Sequence, residues 1–100
     1  MTAYNVVRMK VRPGREAEFI ESHRALGTSV ERPEGLRKFA IVRTGERAYV
    51  VVGEWDSFDS LAKARPMMIG QLDRMRGMLE DLGGTLGVTD PVSGEVVFEL

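Results

Sequence analysis

Between Tyr4 and Arg12 the chain alternates, with Asn5, Val7, Met9 and Val11 on one side and Arg8, Lys10 and Arg12 on the other. A period of two marks a half-buried strand, and Pro13-Gly14 ends it. From Arg15 to Leu26 the apolar positions Phe19, Ile20 and Leu26 recur at helical spacing, while Glu16, Glu18, Glu21 and Arg24 take the outer face, which predicts a first helix. Gly27 suits its C-cap, and Thr28 to Gly35, with Pro33, reads as a connecting loop.

Two strands are predicted next, Leu36 to Arg43 and Arg47 to Trp55, joined as a hairpin by Thr44-Gly45-Glu46 with Gly45 at positive φ. The second strand is apolar on both sides: Ala48, Val50 and Val52 point one way, and Tyr49, Val51 and Trp55 the other. A sheet covered by helices on one face only would leave a polar solvent face, so a second surface is expected over this one. Asp56 or Ser57 can cap a short helix to Ala64. Pro66 then opens a longer helix to Leu82, because the first helical turn does not use the missing N–H, and Gly83-Gly84 ends it. Met68, Leu72, Met75, Leu79 and Leu82 form its narrow apolar stripe. Thr85 to Thr89 and Glu95 to Leu100, around the turn Asp90-Pro91-Val92-Ser93-Gly94, return to the sheet as a strand or hairpin. The order strand, helix, strand, strand, helix, strand is α+β, the ferredoxin-like βαββαβ arrangement with an antiparallel four-stranded sheet.

At 100 residues the chain is one domain, residues 1–100, with a core adequate for stability and little spare volume for a deep cavity. It has no cysteine and one histidine, which excludes a disulfide scaffold, a thiolate metal site and a two-histidine metal site; no metal and no cofactor is expected. A net charge of −1 gives no pull towards nucleic acid or an anionic membrane. The halves differ, since residues 1–50 carry 10 basic and 6 acidic groups (+4) and residues 51–100 carry 4 and 9 (−5), an asymmetry expected to resolve into internal pairing. No leader-like or membrane-length apolar run is present, and a cytoplasmic location is the expectation.

The segment Val50-Val51-Val52-Gly53-Glu54-Trp55-Asp56-Ser57-Phe58-Asp59-Ser60-Leu61 resembles the dimeric α/β-barrel superfamily, in particular the antibiotic-biosynthesis monooxygenase domain family. So do the first strand ending in Val11-Arg12-Pro13-Gly14, the helix aromatic Phe19 and the glycine-led Gly35-Leu36. The resemblance implies a homodimer whose two sheets face one another, helices outside, and a small-molecule pocket between sheet and helices. This would account for the strand that is apolar on both faces. Some members oxidise polycyclic phenols to quinones with dioxygen and neither metal nor flavin, which suits a chain without cysteine. Others degrade haem, pairing a first-strand asparagine with a tryptophan and a histidine on the second helical region. Here Ala64 to Leu82 contains neither, which argues against haem degradation.

Within that frame, His23 follows Phe19 and Ile20 on the inward stripe of the first helix and is the natural general base for a phenolic proton. A boundary histidine bonded to a backbone carbonyl is the plainer reading. Asn5 shares a strand face with Val7 and Met9, as a pocket amide orienting a phenolate or as a strand-end residue in contact with water. Trp55 walls a pocket or fills the space between sheet and helix, and Tyr49, on its face, has a hydroxyl to donate. Arg65, Arg74 and Arg76 are candidates for an anionic substrate or are solvated helix arginines. Met68, with Met67, Met75 and Met78, offers a compliant wall or compliant packing. The reading is a cofactor-independent monooxygenase-like protein for a small aromatic or polyketide-like molecule, with His23 and Asn5 as its catalytic pair and Trp55, Tyr49, Met68 and Arg65 as substrate contacts. A non-catalytic dimeric binding or sensing domain, and an isomerase or lyase on the same scaffold, stay open beside it.

Overall fold

The structure, a computed structural model, describes residues 1–27 and 32–100. Alternation sets β1 (Ala3–Lys10), β2 (Leu36–Gly45) and β3 (Ala48–Trp55), and β4 (Asp90–Glu95) completes one sheet in the order β2-β3-β1-β4, each neighbouring pair antiparallel. Helices α1 (Glu16–Gly27) and α2 (Phe58–Met75) cover its inner face, giving the ferredoxin-like topology. The predicted loop falls, over residues 28–31, outside the described residues, as does the side chain of Leu26.

Strand register arranges the inner face in rows across the sheet. One row is Leu36, Trp55, Ala3 and Glu95; the next is Phe39, Gly53, Asn5 and Ser93; a third is Ile41, Val51, Val7 and Pro91. The core divides accordingly. Ala3, Trp55, Leu61 and Ala64 pack over the first row, while Met9, Val11, Phe19, Tyr49, Val51, Met75, Met78 and Leu79 pack beyond the second. The second row, with glycine, asparagine and serine on three strands, has no large aliphatic side chain to fill the space above it. The little spare volume expected from chain length is therefore corrected by a core built in two parts with room between them.

Four local expectations are also corrected. Residues Phe58–Met75 form one helix, capped by the Ser57 hydroxyl accepting from the Ser60 N–H at 3.1 Å, and Pro66 sits inside it rather than opening a second helix. After Met75 a single 3-10 turn (Arg76–Met78) ends the helical run well before Leu82. The backbone there bonds to the end of β1 instead: Arg12 N–H donates to Met78 O (2.9 Å), Glu80 N–H donates to Lys10 O (2.7 Å), and Leu79 bridges Val11. The final strand is Asp90–Glu95, the stretch read as a turn, and the flanks read as strands are not strands. As an edge strand, with β1 its sole partner, β4 can seat Pro91. In the β2–β3 turn the left-handed residue is Arg47 (φ 57°), not Gly45. That conformation costs roughly 1–2 kcal/mol for a non-glycine residue. The Arg47 guanidinium, donating to Val11 O (3.0 Å) and Glu80 (3.1 Å), helps to hold it.

Charge asymmetry between the halves resolves into ion pairs, Arg8–Asp90, Lys10–Glu80, Arg37–Glu54 and Arg47–Glu80 each joining the two. On the outer face of the sheet Ala40, Val52, Val6 and Val92 form an apolar row, with Val42 and Val50 beside it. Val42 and Val92 are exposed there. No helix among the described residues is long and apolar enough to cross a membrane.

Candidate functional site

Above the second row, between the sheet and both helices, lies a cavity of about 680 Å³. This is ample for a drug-sized molecule, since such sites run to roughly 300–1,000 Å³. Five of the six sequence candidates line it together: Asn5, His23, Trp55, Arg65 and Met68. The sixth does not. Tyr49 lies four residues along β3 from Gly53, about 14 Å at strand rise. There its ring packs on Phe19 (5.1 Å between centroids) and its hydroxyl donates to Glu16, the bond that chiefly raises its pKa.

His23 reaches the cavity from α1 and is 6% exposed. Its Nδ1 lies 2.9 Å from Phe19 O; a carbonyl only accepts, so Nδ1 carries the proton and Nε2 the lone pair. Nε2 has no hydrogen-bond partner among the described residues, and His23 lines the cavity. The ring meets Phe19 edge-on at 4.6 Å and stacks on Phe39 at 5.8 Å. Burial lowers its pKa, opposed in part by the bond to Phe19 O, so the ring is neutral at neutral pH. The carbonyl-bonded arrangement foreseen for a structural histidine is thus present, and it leaves the other nitrogen free to act as a base.

On the floor, Trp55 Nε1–H donates to Asn5 Oδ1 at 2.7 Å. Accepting this bond orients the Asn5 amide, whose NH₂ has no partner among the described residues and is available to an oxygen on a ligand. Gly53 makes the pair possible. It stands opposite Asn5 in register, and a Cβ there would collide with Asn5 Oδ1 and come within 2.9 Å of Trp55 Nε1. Gly35, at φ 86°, plays a similar part at the head of β2: a Cβ would lie 2.6 Å from the Ser60 side chain, so only glycine lets β2 start against the first turn of α2.

At the β4 side Arg65, from α2, donates to Ser93 Oγ at 3.2 Å, with its guanidinium carbon 5.4 Å from the Phe58 ring centroid. Arg32 also lines the cavity, donating to the Leu36 and Arg37 carbonyls at 3.3 Å each. Met68, Leu61, Leu72 and Met75 supply the apolar roof. Phe39, Ser93, Arg32 and the structural role of Gly53 were not singled out from sequence. A glycine in the middle of an otherwise apolar strand was the available signal for Gly53.

The geometry places the chain among known proteins. Its fold is similar to that of SnoaB, a cofactor-independent oxygenase from Streptomyces nogalater, solved as an asparagine-to-alanine mutant: TM-score 0.74 at 16% identity, over 99% of this chain and 96% of that one. It is similar to Rv0793 from Mycobacterium tuberculosis, with TM-score 0.74, 14% identity and coverage of 99% and 98%. An arginine-to-serine mutant of MhuD, solved with two manganese protoporphyrin IX bound per active site, matches with TM-score 0.63, 19% identity and coverage of 98% and 97%. No curated protein matches in sequence. The family model described as antibiotic biosynthesis monooxygenase matches residues 2–65, a span that includes β1, α1, the hairpin with Gly53 and Trp55, and α2 as far as Arg65, and the chain belongs to that family.

Proposed function

We propose that the protein is a cofactor-independent oxygenase-like enzyme for a small aromatic, polyketide-like phenol bound in the cavity. The observation that carries this reading is the buried His23, locked by Phe19 O with its proton on Nδ1 and lining a largely apolar cavity, with Nε2 unpartnered among the described residues. A phenol or an acidic ring C–H gives its proton to Nε2, and the Asn5 amide steadies the resulting oxyanion. The electron-rich anion then reduces dioxygen. For a ring CH₂ the products balance as a carbonyl and water, with both hydrogens from the substrate and no further reductant. Trp55 and Met68 shape the wall around the ring, and Arg65 stands at its edge. The porphyrin bound by the MhuD mutant is not carried over as a ligand, because α2 holds neither histidine nor tryptophan.

The working unit in this reading is a homodimer, in which the apolar outer row Ala40, Val52, Val6 and Val92 packs on a second sheet. The test is oxygen uptake by the purified protein with anthrone-type phenols. Uptake above autoxidation, lost in His23→Ala and Trp55→Ala, is expected. Uptake that survives both substitutions overturns the assignment. Saturable binding without uptake would identify a sensing domain, and ligand conversion without oxygen an isomerase or lyase.

A further inference from the structure

The cavity is chemically lopsided. Its described lining contains two guanidinium groups and not one carboxylate. Several arginines elsewhere in the chain are paired with acids: Arg8 with Asp90, Arg15 with Glu18, Arg47 with Glu80 and Arg76 with Asp73. Arg65 has no such partner among the described residues. Its contacts are a hydroxyl, Ser93 Oγ, and the face of Phe58, which together hold the guanidinium in place without neutralising it.

Register shows what Arg65 stands beside. Ser93 is opposite Asn5, and Asn5 is opposite Gly53 and in turn Phe39, the residue on which His23 stacks. One line across the sheet thus begins under His23 and ends under Arg65, three strand spacings or about 14 Å away. The poles differ in kind. At the β4 end the groups on offer are donors: the guanidinium and the Ser93 hydroxyl, whose oxygen already accepts from Arg65. At the β2 end His23 Nε2 is an acceptor, and the second guanidinium of the lining, that of Arg32, is engaged there by the Leu36 and Arg37 carbonyls at 3.3 Å each. Most of the remaining described lining is apolar, with Asn5, Gln71 and Thr89 the other polar side chains.

We propose that the cavity selects an aromatic hydroxy acid, with a carboxylate held by Arg65 and Ser93 at the β4 end and a hydroxyl directed at His23 at the other. Arg65 is the specificity-determining residue. The proposal rests on the reading of this cavity as a small-molecule site and adds the charge and the polarity of the molecule it takes. A carboxylate suits a fork of guanidinium donors, and with no acid in the described lining it meets no like charge. A neutral phenol would leave that donor cluster unused.

The test compares 6-hydroxy-2-naphthoate with its methyl ester, which differ in charge and little in shape, by titration of wild type, Arg65→Gln and Arg65→Lys. Wild type is expected to bind the acid about tenfold or more tightly than the ester, the usual scale for a hydrogen bond to a charged group. Arg65→Gln brings the ratio towards unity while the ester's affinity is retained, and that retention shows the variant to be folded. Arg65→Lys keeps part of the preference as a point charge without the fork. Equal binding of acid and ester by wild type, or equal weakening of both by Arg65→Gln, overturns the proposal and leaves the small-molecule site standing. Failure of wild type to bind either probe removes both.

Discussion

Gly53→Ala tests the floor of the cavity most directly. A methyl group at position 53 collides with Asn5 Oδ1 and comes within 2.9 Å of Trp55 Nε1, the two atoms joined by the 2.7 Å hydrogen bond. Overpacking a buried position costs about 1–3 kcal/mol. Driving the pair apart adds roughly 1 kcal/mol or more for the lost bond. A total of about 2–4 kcal/mol, at about 4–8 °C per kcal/mol for a domain of this size, lowers Tm by roughly 8–32 °C. Thermal unfolding followed by circular dichroism at fixed protein concentration measures it, and Asn5→Ala supplies the control. Alone, Asn5→Ala leaves the buried indole N–H without an acceptor, at about 1–3 kcal/mol. Combined with Gly53→Ala, it removes the side chain that the new methyl strikes, so the double variant should be less destabilised than the sum by about 1 kcal/mol or more. Additivity within about 0.5 kcal/mol would mean that the two residues do not compete for one space, and the account of Gly53 would be wrong.

Tyr49→Phe should cost about 1 kcal/mol through the bond to Glu16 while leaving ligand affinity unchanged, because Tyr49 is outside the cavity; a weakened affinity would bring it back into the site. His23 titrates below its ordinary value because it is buried, so the unfolded chain takes up a proton first as pH falls. The His23 contribution to stability is therefore complete above about pH 6.5 and declines below it until the folded ring also protonates. Urea midpoints for wild type against His23→Gln between about pH 6.5 and pH 5 should show the slope shrinking in the variant, and an unchanged slope would refute it. On the outer face, Val42→Asp places a charge at an already exposed position and should convert a dimer to a folded monomer in sedimentation analysis. A dimer of undiminished strength would exclude that face as the interface.

Much of the fold was legible because burial imposes its period on the sequence: β1, α1 and the hairpin all follow from alternation or helical spacing. The failures share a cause. Leu79 continues the stripe of Met68, Leu72 and Met75, but it is apolar because it is buried, and its backbone is held by β1 in extended form, so the stripe outlives the helix. Asp90-Pro91-Val92-Ser93-Gly94 has the composition of a turn and forms a strand because β1 supplies the other half of its hydrogen bonds, a partner more than 80 residues away that local propensity does not register. The same blindness hid Ser93 from the site. His23, Asn5 and Trp55 were visible as polar or bulky groups on inward faces, whereas the coupling of Asn5, Gly53 and Trp55 needed cross-strand register. Tyr49 misled because a strand face is longer than a pocket.

β4 is the least buried strand, lies at the sheet edge and contributes Ser93 to the donor pole. A strand with one neighbour and few buried side chains opens locally at a small fraction of the global unfolding free energy. A ligand whose charged end needs Ser93 therefore binds only the fraction of molecules in which the edge is closed, and its apparent affinity is the intrinsic affinity scaled by that fraction. Occupancy and edge closure are one linked equilibrium, so amide exchange along residues 90–95 should slow on binding, and strengthening the β1–β4 ladder far from the cavity should tighten the site without touching the ligand.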